Sequence, residues 1–145
     1  APAPDITIPN YVYERADYIT PNEVELTALT GIDISSLESV QKACKILLEK
    51  GVGNVITTLG AEGAYHMSKS TAQLYPGIKV NAVDTTAAGD TFNGALAVAI
   101  SEDMPIASAI SFANCAASIC CTRYGAQPSI PSRLEVAKQL NTKGK

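Results

Sequence analysis

The sequence predicts an α/β domain, and three observations carry that reading. An amphipathic helical pattern over residues 36–50 runs directly into a β-branched, glycine-bracketed stretch at 54–59. A short apolar stretch ending at Pro21 is followed at once by a capped helical segment, and two alanine-rich helical segments close the chain's second half. Helix and strand signals in this alternating order belong to folds in which helices cover a largely buried sheet. At 145 residues the chain fits one domain with a single core. Its 46% hydrophobic and 17% charged residues set it apart from disordered sequences.

The elements follow in order. Residues 16–20 read as a strand, because the residue before a proline is pushed away from helical geometry. Asn22 then caps a short helix, Glu25 completes capping-box spacing, and Gly31 supplies the stop. Over residues 36–50, Leu37, Val40, Cys44, Leu47 and Leu48 recur at helical spacing, and Gly51 follows as a C-terminal cap. Residues 54–59, bounded by Gly53 and Gly60, read as a buried parallel strand. Apolar stretches at 64–67, 74–75 and 78–83, broken by polar and Pro-Gly segments, read as edge strands and turns. The small-residue loop 84–89 leads into a helix to Ile100, and a second runs from Pro105 to about Cys121; both are expected to be buried. Residues 124–128 end that helix. Ser132 and Glu135 have capping-box spacing for a last surface helix ending near Leu140, after which residues 143–145 should fray.

Composition excludes several functions. A net charge of -3 and a pI near 5.1, with lysines and arginines scattered, leave no basic surface for nucleic acid. No apolar run is long enough for a bilayer and the start lacks a signal-peptide pattern, so a soluble, cytoplasmic chain is expected. Cys44, Cys115, Cys120 and Cys121 lack zinc-binding spacing and read as reduced, mostly buried thiols. His66, the only histidine, falls on a predicted edge strand with a structural role, and Tyr11, Tyr13 and Tyr18 form no aromatic platform. The opening Ala-Pro-Ala-Pro, without methionine, reads as the interior of a longer sequence.

Chemistry concentrates in Asp84-Thr85-Thr86-Ala87-Ala88-Gly89-Asp90-Thr91-Phe92-Asn93-Gly94. Small residues before a helix let backbone N–H groups approach an anion, and the positive end of the helix dipole favours phosphate there. From spacing alone, a loop in which Asp90 merely caps the helix is an equal reading. Asn22 and Glu25, taken alone, are explained by the capping box, and residues 58–63 by a tight glycine turn rather than a Walker loop or dinucleotide fingerprint.

The run from Asp84 to Phe92 resembles the signature of the ribokinase, or PfkB, carbohydrate kinase family: an aspartate, a threonine, small residues, then Gly-Asp-Thr and an aromatic. The likeness extends from about residue 16 to 140, with three motifs in family order. It implies a ribokinase-like three-layer α/β/α fold with a Rossmann-like, mostly parallel sheet, lacking the β lid and the N-terminal half that grips the sugar. Residues 1–145 would then be the C-terminal nucleotide-binding and catalytic part of a longer kinase. The resemblance further implies ATP-dependent phosphorylation of D-ribose at its 5-hydroxyl, giving ribose 5-phosphate and ADP. Asp90 would take the hydroxyl proton, while the segment Ala87, Ala88, Gly89 and Asp90 would hold the transferring phosphoryl group by its amides. Many members carry glycine at the position of Ala87.

By the same resemblance, Asn22, Thr58, Gly60, Ala61, Glu62, Gly63 and Asn114 would line ATP, Glu25 would act on Mg²⁺ through water, and Asp84, Thr86, Cys120, Arg123, Gly125 and Ser129 would ring K⁺ largely through backbone oxygens. Asn114 reads equally as a satisfied core amide. The ribokinase branch is favoured over adenosine kinase or fructokinase, with another PfkB kinase or a noncatalytic nucleotide-binding module as the alternatives. Family lids often form dimer contacts, so a homodimer is a further implication, as is a nuclear location in a eukaryote.

Overall fold

A computed structural model describes residues 7–142, so the expectations for the first four residues and for 143–145 lie outside the described residues. Contacts gather into two compact units, one of residues up to 60 together with 64–74, the other of 61–63 and residues from 75 onward.

The first unit is built on helices α1 (Asn10–Arg15), α2 (Glu23–Thr30) and α3 (Leu37–Glu49), on strands β1 (Tyr18–Ile19) and β2 (Asn54–Thr58), and on most of β3 (Gly63–Ser68) and β4 (Ala72–Pro76), of which Gly63, Tyr75 and Pro76 count with the second unit. The sheet order is β1-β2-β3-β4. Ile19 sits opposite Val55 in a parallel pair, and Ile56 opposite His66 in an antiparallel one. The α/β class stands, and within this chain the sheet is mixed: β2 is parallel only to β1. Asn22 caps α2 as its sequence demands, and Gly31 closes it in the left-handed region at φ 73°, where glycine carries no side-chain penalty.

The apolar stripe of α3 buries Val40, Ala43, Cys44 and Leu47 together with Leu26 and Val55, each large aliphatic contributing about 1.5–3 kcal/mol. Leu37, at the helix start, stays 41% exposed.

Three expectations change here. β3 pairs on both sides and is internal, because the 68–71 turn folds β4 back onto it; His66 is therefore buried at 1% exposure. Its Nε2 lies 2.9 Å from the Asn54 side-chain oxygen, and the Asn54 amide donates to the Asp17 carbonyl. Residues 78–83 form no strand, since their backbone finds a helix end rather than a sheet edge, the Val83 amide bonding the Cys121 carbonyl at 2.8 Å. Helix α1 was unforeseen; it buries Tyr13, over whose ring the Lys50 ammonium sits at 4.8 Å.

In the second unit, α4 (Ala88–Ser101), which buries Leu96 and Ala99, packs against α5 (Ile106–Cys120), which buries Ala109, Ala113 and Ala116, and α6 (Arg133–Thr142) joins α5. Burial is uneven. α5 is mostly enclosed, but α4 leaves Gly94, Ala97 and Val98 open. Ser132 and Glu135 form the expected reciprocal capping bonds at the start of α6. No helix among the described residues is long and apolar enough to cross a membrane.

Candidate active site

The loop before α4 is shaped by its backbone. Ala87 is the N-cap, yet it adopts φ 61°, ψ 13° and contributes no side-chain cap. An L-residue in this left-handed region carries a cost of about 1–2 kcal/mol, so the turn is held there by its surroundings. Asp84 is one such restraint: one carboxylate oxygen accepts the Thr86 amide and the other the Gly125 amide, each at 2.9 Å. Hydrogen bonds from the Thr86 hydroxyl, then from the Gly125 and Thr86 amides, hold the Asp84 carboxyl below the usual carboxylate range.

Because the cap is Ala87, Asp90 falls at the third residue of α4 and is not a capping side chain. It is exposed and, among the described residues, its carboxylate makes no hydrogen bond or ion pair. The first-turn amides differ. Ala88 donates to the Thr85 carbonyl at 3.2 Å, which draws its amide toward the loop. The Gly89 and Asp90 amides belong to the turn that has no intrahelical partner, and a Cβ on Gly89 would meet nothing within 4 Å. An anion thus has unobstructed access to the start of the helix dipole.

Asp90 also borders a cleft of about 250 Å³, with Thr91, Gly94, Val98, Phe112 and Arg133 among its lining. Sequence reading missed this surface. Residues 90, 94 and 98 share one helix face, a spacing visible in the sequence; Phe112 and Arg133 enter only through tertiary packing. The Thr91 hydroxyl is buried without a partner among the described residues.

Thr86, Cys120, Gly125 and Ser129 meet around Asp84 in the second unit. The Cys120 sulfur lies 3.6 Å from the Thr86 carbonyl and 3.0 Å from the Ser129 hydroxyl, and Ser129 donates to the Ala126 carbonyl at 2.6 Å. Arg123 is close in the chain, but its guanidinium pairs with Glu135, leaving its backbone oxygen for any ligand role. The Ser132 amide, then Arg123, lower the Glu135 carboxyl to about 2. No cluster of three or more His, Cys, Asp or Glu that could hold a metal occurs among the described residues. The donors here are one carboxylate with carbonyl and hydroxyl oxygens, a set that suits a hard cation of low charge rather than a transition metal.

Elsewhere in the second unit, the Asn114 amide is buried and donates to the Tyr75 carbonyl at 3.0 Å, so its nitrogen has the satisfied core role that was one of its two readings. Gly63 takes φ 104°, and Tyr75 and Gly77 backbone atoms occupy the space a Cβ would need, while Ala61 and Glu62 are exposed. In the first unit, Asn22 and Glu25 form the full capping box, at 2.8 and 2.9 Å, and one Glu25 oxygen stays outside it. A parallel bridge sets Asn22 beside Thr58, whose amide bonds the Pro21 carbonyl, and Gly60 follows at φ 53°.

Residues 2–133 match the pfkB family of carbohydrate kinases. The chain belongs to that family. Among its relatives, the ribokinase of Haemophilus influenzae is 41% identical over 139 residues, covering 96% of this chain and 45% of that protein. The Schizosaccharomyces pombe ribokinase is also 41% identical, over 98% of this chain and 46% of its own length. A crystal structure of Thermotoga maritima ribokinase superposes with a TM-score of 0.86 at 46% identity, covering 92% of this chain and 45% of that one. Arabidopsis thaliana ribokinase complexed with ribose and ATP gives 0.88 at 37% identity, with coverages of 92% and 43%. The ribokinase-like α/β fold is thereby shown, and the chain spans about 45% of the length of these curated relatives.

Proposed function

We propose that this chain is the nucleotide-binding and catalytic portion of a sugar kinase that converts ATP and D-ribose to ADP and ribose 5-phosphate. The observation that carries the reading is Asp90: an exposed carboxylate without a partner among the described residues, in the first turn of α4, beside the open Gly89 and Asp90 amides. Its relatives' activity and the bound ribose and ATP of the Arabidopsis protein support the choice of substrates.

In the proposed reaction, Asp90 accepts the proton of the 5-hydroxyl as that oxygen bonds to the γ-phosphorus. The bond from γ-phosphorus to the β,γ-bridging oxygen breaks and ADP leaves. Charge spreads over the transferring oxygens in a loose transition state, so amides aimed at those oxygens lower the barrier. Ala88 contributes less than Gly89 and Asp90, its amide being shared with Thr85. Asn22, Thr58 and Gly60 of the first unit and Ala61, Glu62 and Gly63 of the second are the proposed nucleotide contacts, and the Asn114 amide oxygen would meet the adenine edge.

The Glu25 oxygen outside the capping box would hold Mg²⁺ through water, and oxygens of Asp84, Thr86, Cys120, Arg123, Gly125 and Ser129 would hold K⁺. Each ion would supply positive charge at its own residues. A cytoplasmic setting, with nuclear entry in a eukaryote and dimerisation of the whole enzyme, completes the proposal.

The test is ribose-dependent ADP release, measured on this chain and on any longer protein containing it, with and without Asp90→Asn. Removal of a general base should lower the rate by about 10²–10⁴-fold. An undiminished rate in the variant would refute the role of Asp90.

A further inference from the structure

We propose that the buried Cys120 thiol is a positioning residue of the cation loop, holding the Thr86 carbonyl and the Ser129 hydroxyl in place while each keeps one lone pair for an ion. The proposal rests on the reading of this loop as a K⁺ site, and it concerns the side chain of Cys120, which that reading leaves without a role.

The argument begins with a proton count. Three polar contacts meet here: Cys120 Sγ to Thr86 O at 3.6 Å, Cys120 Sγ to Ser129 Oγ at 3.0 Å, and Ser129 Oγ to Ala126 O at 2.6 Å. Two protons serve them, one on the thiol and one on the hydroxyl. The short Ser129–Ala126 bond takes the hydroxyl proton, so the thiol proton is divided between Thr86 and Ser129. Thiols are weak donors. The Thr86 carbonyl is thus located by the sulfur without having its acceptor capacity spent on it.

Burial strengthens the case. Cys120 and Ser129 are both fully buried, so their mutual contact is closed to water, while the contact to Thr86 is only partly buried. Asp84 grips the same residue from its other side, through the Thr86 amide. Thr86 is therefore held at its nitrogen by a carboxylate and at its oxygen by a thiol, while Asp84 also ties in Gly125. A serine in place of Cys120 would reach less far and donate more strongly; an alanine would leave the Thr86 carbonyl without the sulfur and the Ser129 hydroxyl with its Ala126 bond alone.

The experiment follows the melting temperature of this chain as KCl replaces choline chloride at constant ionic strength, for the wild type, Cys120→Ala and Asp84→Asn. An ion bound only by the folded state raises the melting temperature with a definable half-saturating concentration. The wild type should respond to K⁺, Asp84→Asn should lose the response, and Cys120→Ala should raise the half-saturating concentration about three- to tenfold, the scale of a lost weak hydrogen bond behind a ligand. A merely structural thiol would lower the melting temperature equally in choline and leave half-saturation unchanged; that result overturns the proposal and spares the K⁺ site. No response of the wild type to K⁺ overturns both. Should Cys120→Ala not unfold cooperatively, Cys120→Val fills similar space without an S–H, and an unchanged half-saturation there equally overturns the proposal.

Discussion

Replacing Ala87 with glycine should stabilise this protein, although glycine usually does the reverse in and around helices. Ala87 sits at φ 61°, ψ 13° with no side-chain cap, and relief of the left-handed strain is worth about 1–2 kcal/mol. Glycine also loosens the unfolded chain, which offsets about 0.4–1 kcal/mol of that gain. The expected net effect is a stabilisation of about 0.5–1 kcal/mol. Ala87→Val, placing a β-branched side chain in the same region, should destabilise by at least about 1 kcal/mol. Asp103, the other non-glycine at positive φ (57°) among the described residues, is the internal control: Asp103→Gly should gain less, because aspartate tolerates this region better than alanine does. Urea unfolding followed by far-UV circular dichroism reads the effect as a shifted midpoint at unchanged slope. If Ala87→Gly is destabilising and Ala87→Val costs nothing, the turn is not left-handed at residue 87 and the account of the loop fails.

Three further outcomes follow from the geometry. Asn114→Ala should cost about 1–3 kcal/mol in the same assay, because it strips a buried hydrogen bond from the Tyr75 carbonyl; an unchanged midpoint would show that carbonyl to be solvated. Gly63→Ala should cost about 3 kcal/mol, since a Cβ there would overlap Tyr75 and Gly77 backbone at a positive φ; a tolerated alanine would refute the close approach. Burial lowers the His66 pKa, so the unfolded chain takes up a proton that the folded one resists. Stability from this residue is complete above the unfolded pKa of about 6.5 and declines as the pH falls below it. Midpoints measured from about pH 7.5 down to about pH 5 should fall less steeply in His66→Gln than in the wild type; identical slopes would show that His66 does not contribute.

Much of the local structure was legible from residue types. Asn22, Glu25 and Gly31 bracket α2 where their capping chemistry places them, and the spacing of Val40, Cys44 and Leu47 marks the buried face of α3. The stretch at 78–83 misled for the opposite reason. Apolar alternation signals a strand only where a neighbour accepts its backbone, and here the Val83 amide is taken by the end of α5. β3 resembled an edge strand because its pairing with β2 and β4 leaves no mark in its own residues.

The candidate site divides along the same line. The sequence by itself determined that a small-residue loop opens a helix with an aspartate in its first turn, and likeness to a family identified the motif, because side-chain size and charge are written in residue identity. Whether Asp90 caps the helix or stands free was open until the tertiary structure put Ala87 at the cap. The grouping of Thr86, Cys120, Gly125 and Ser129 with Asp84 was implied by the family likeness, but the contacts that make it, and the cleft beside Asp90, appear only in the tertiary structure. Carbonyl oxygens and left-handed turns belong to the backbone, which every residue shares, so their arrangement appears only when distant segments are brought together.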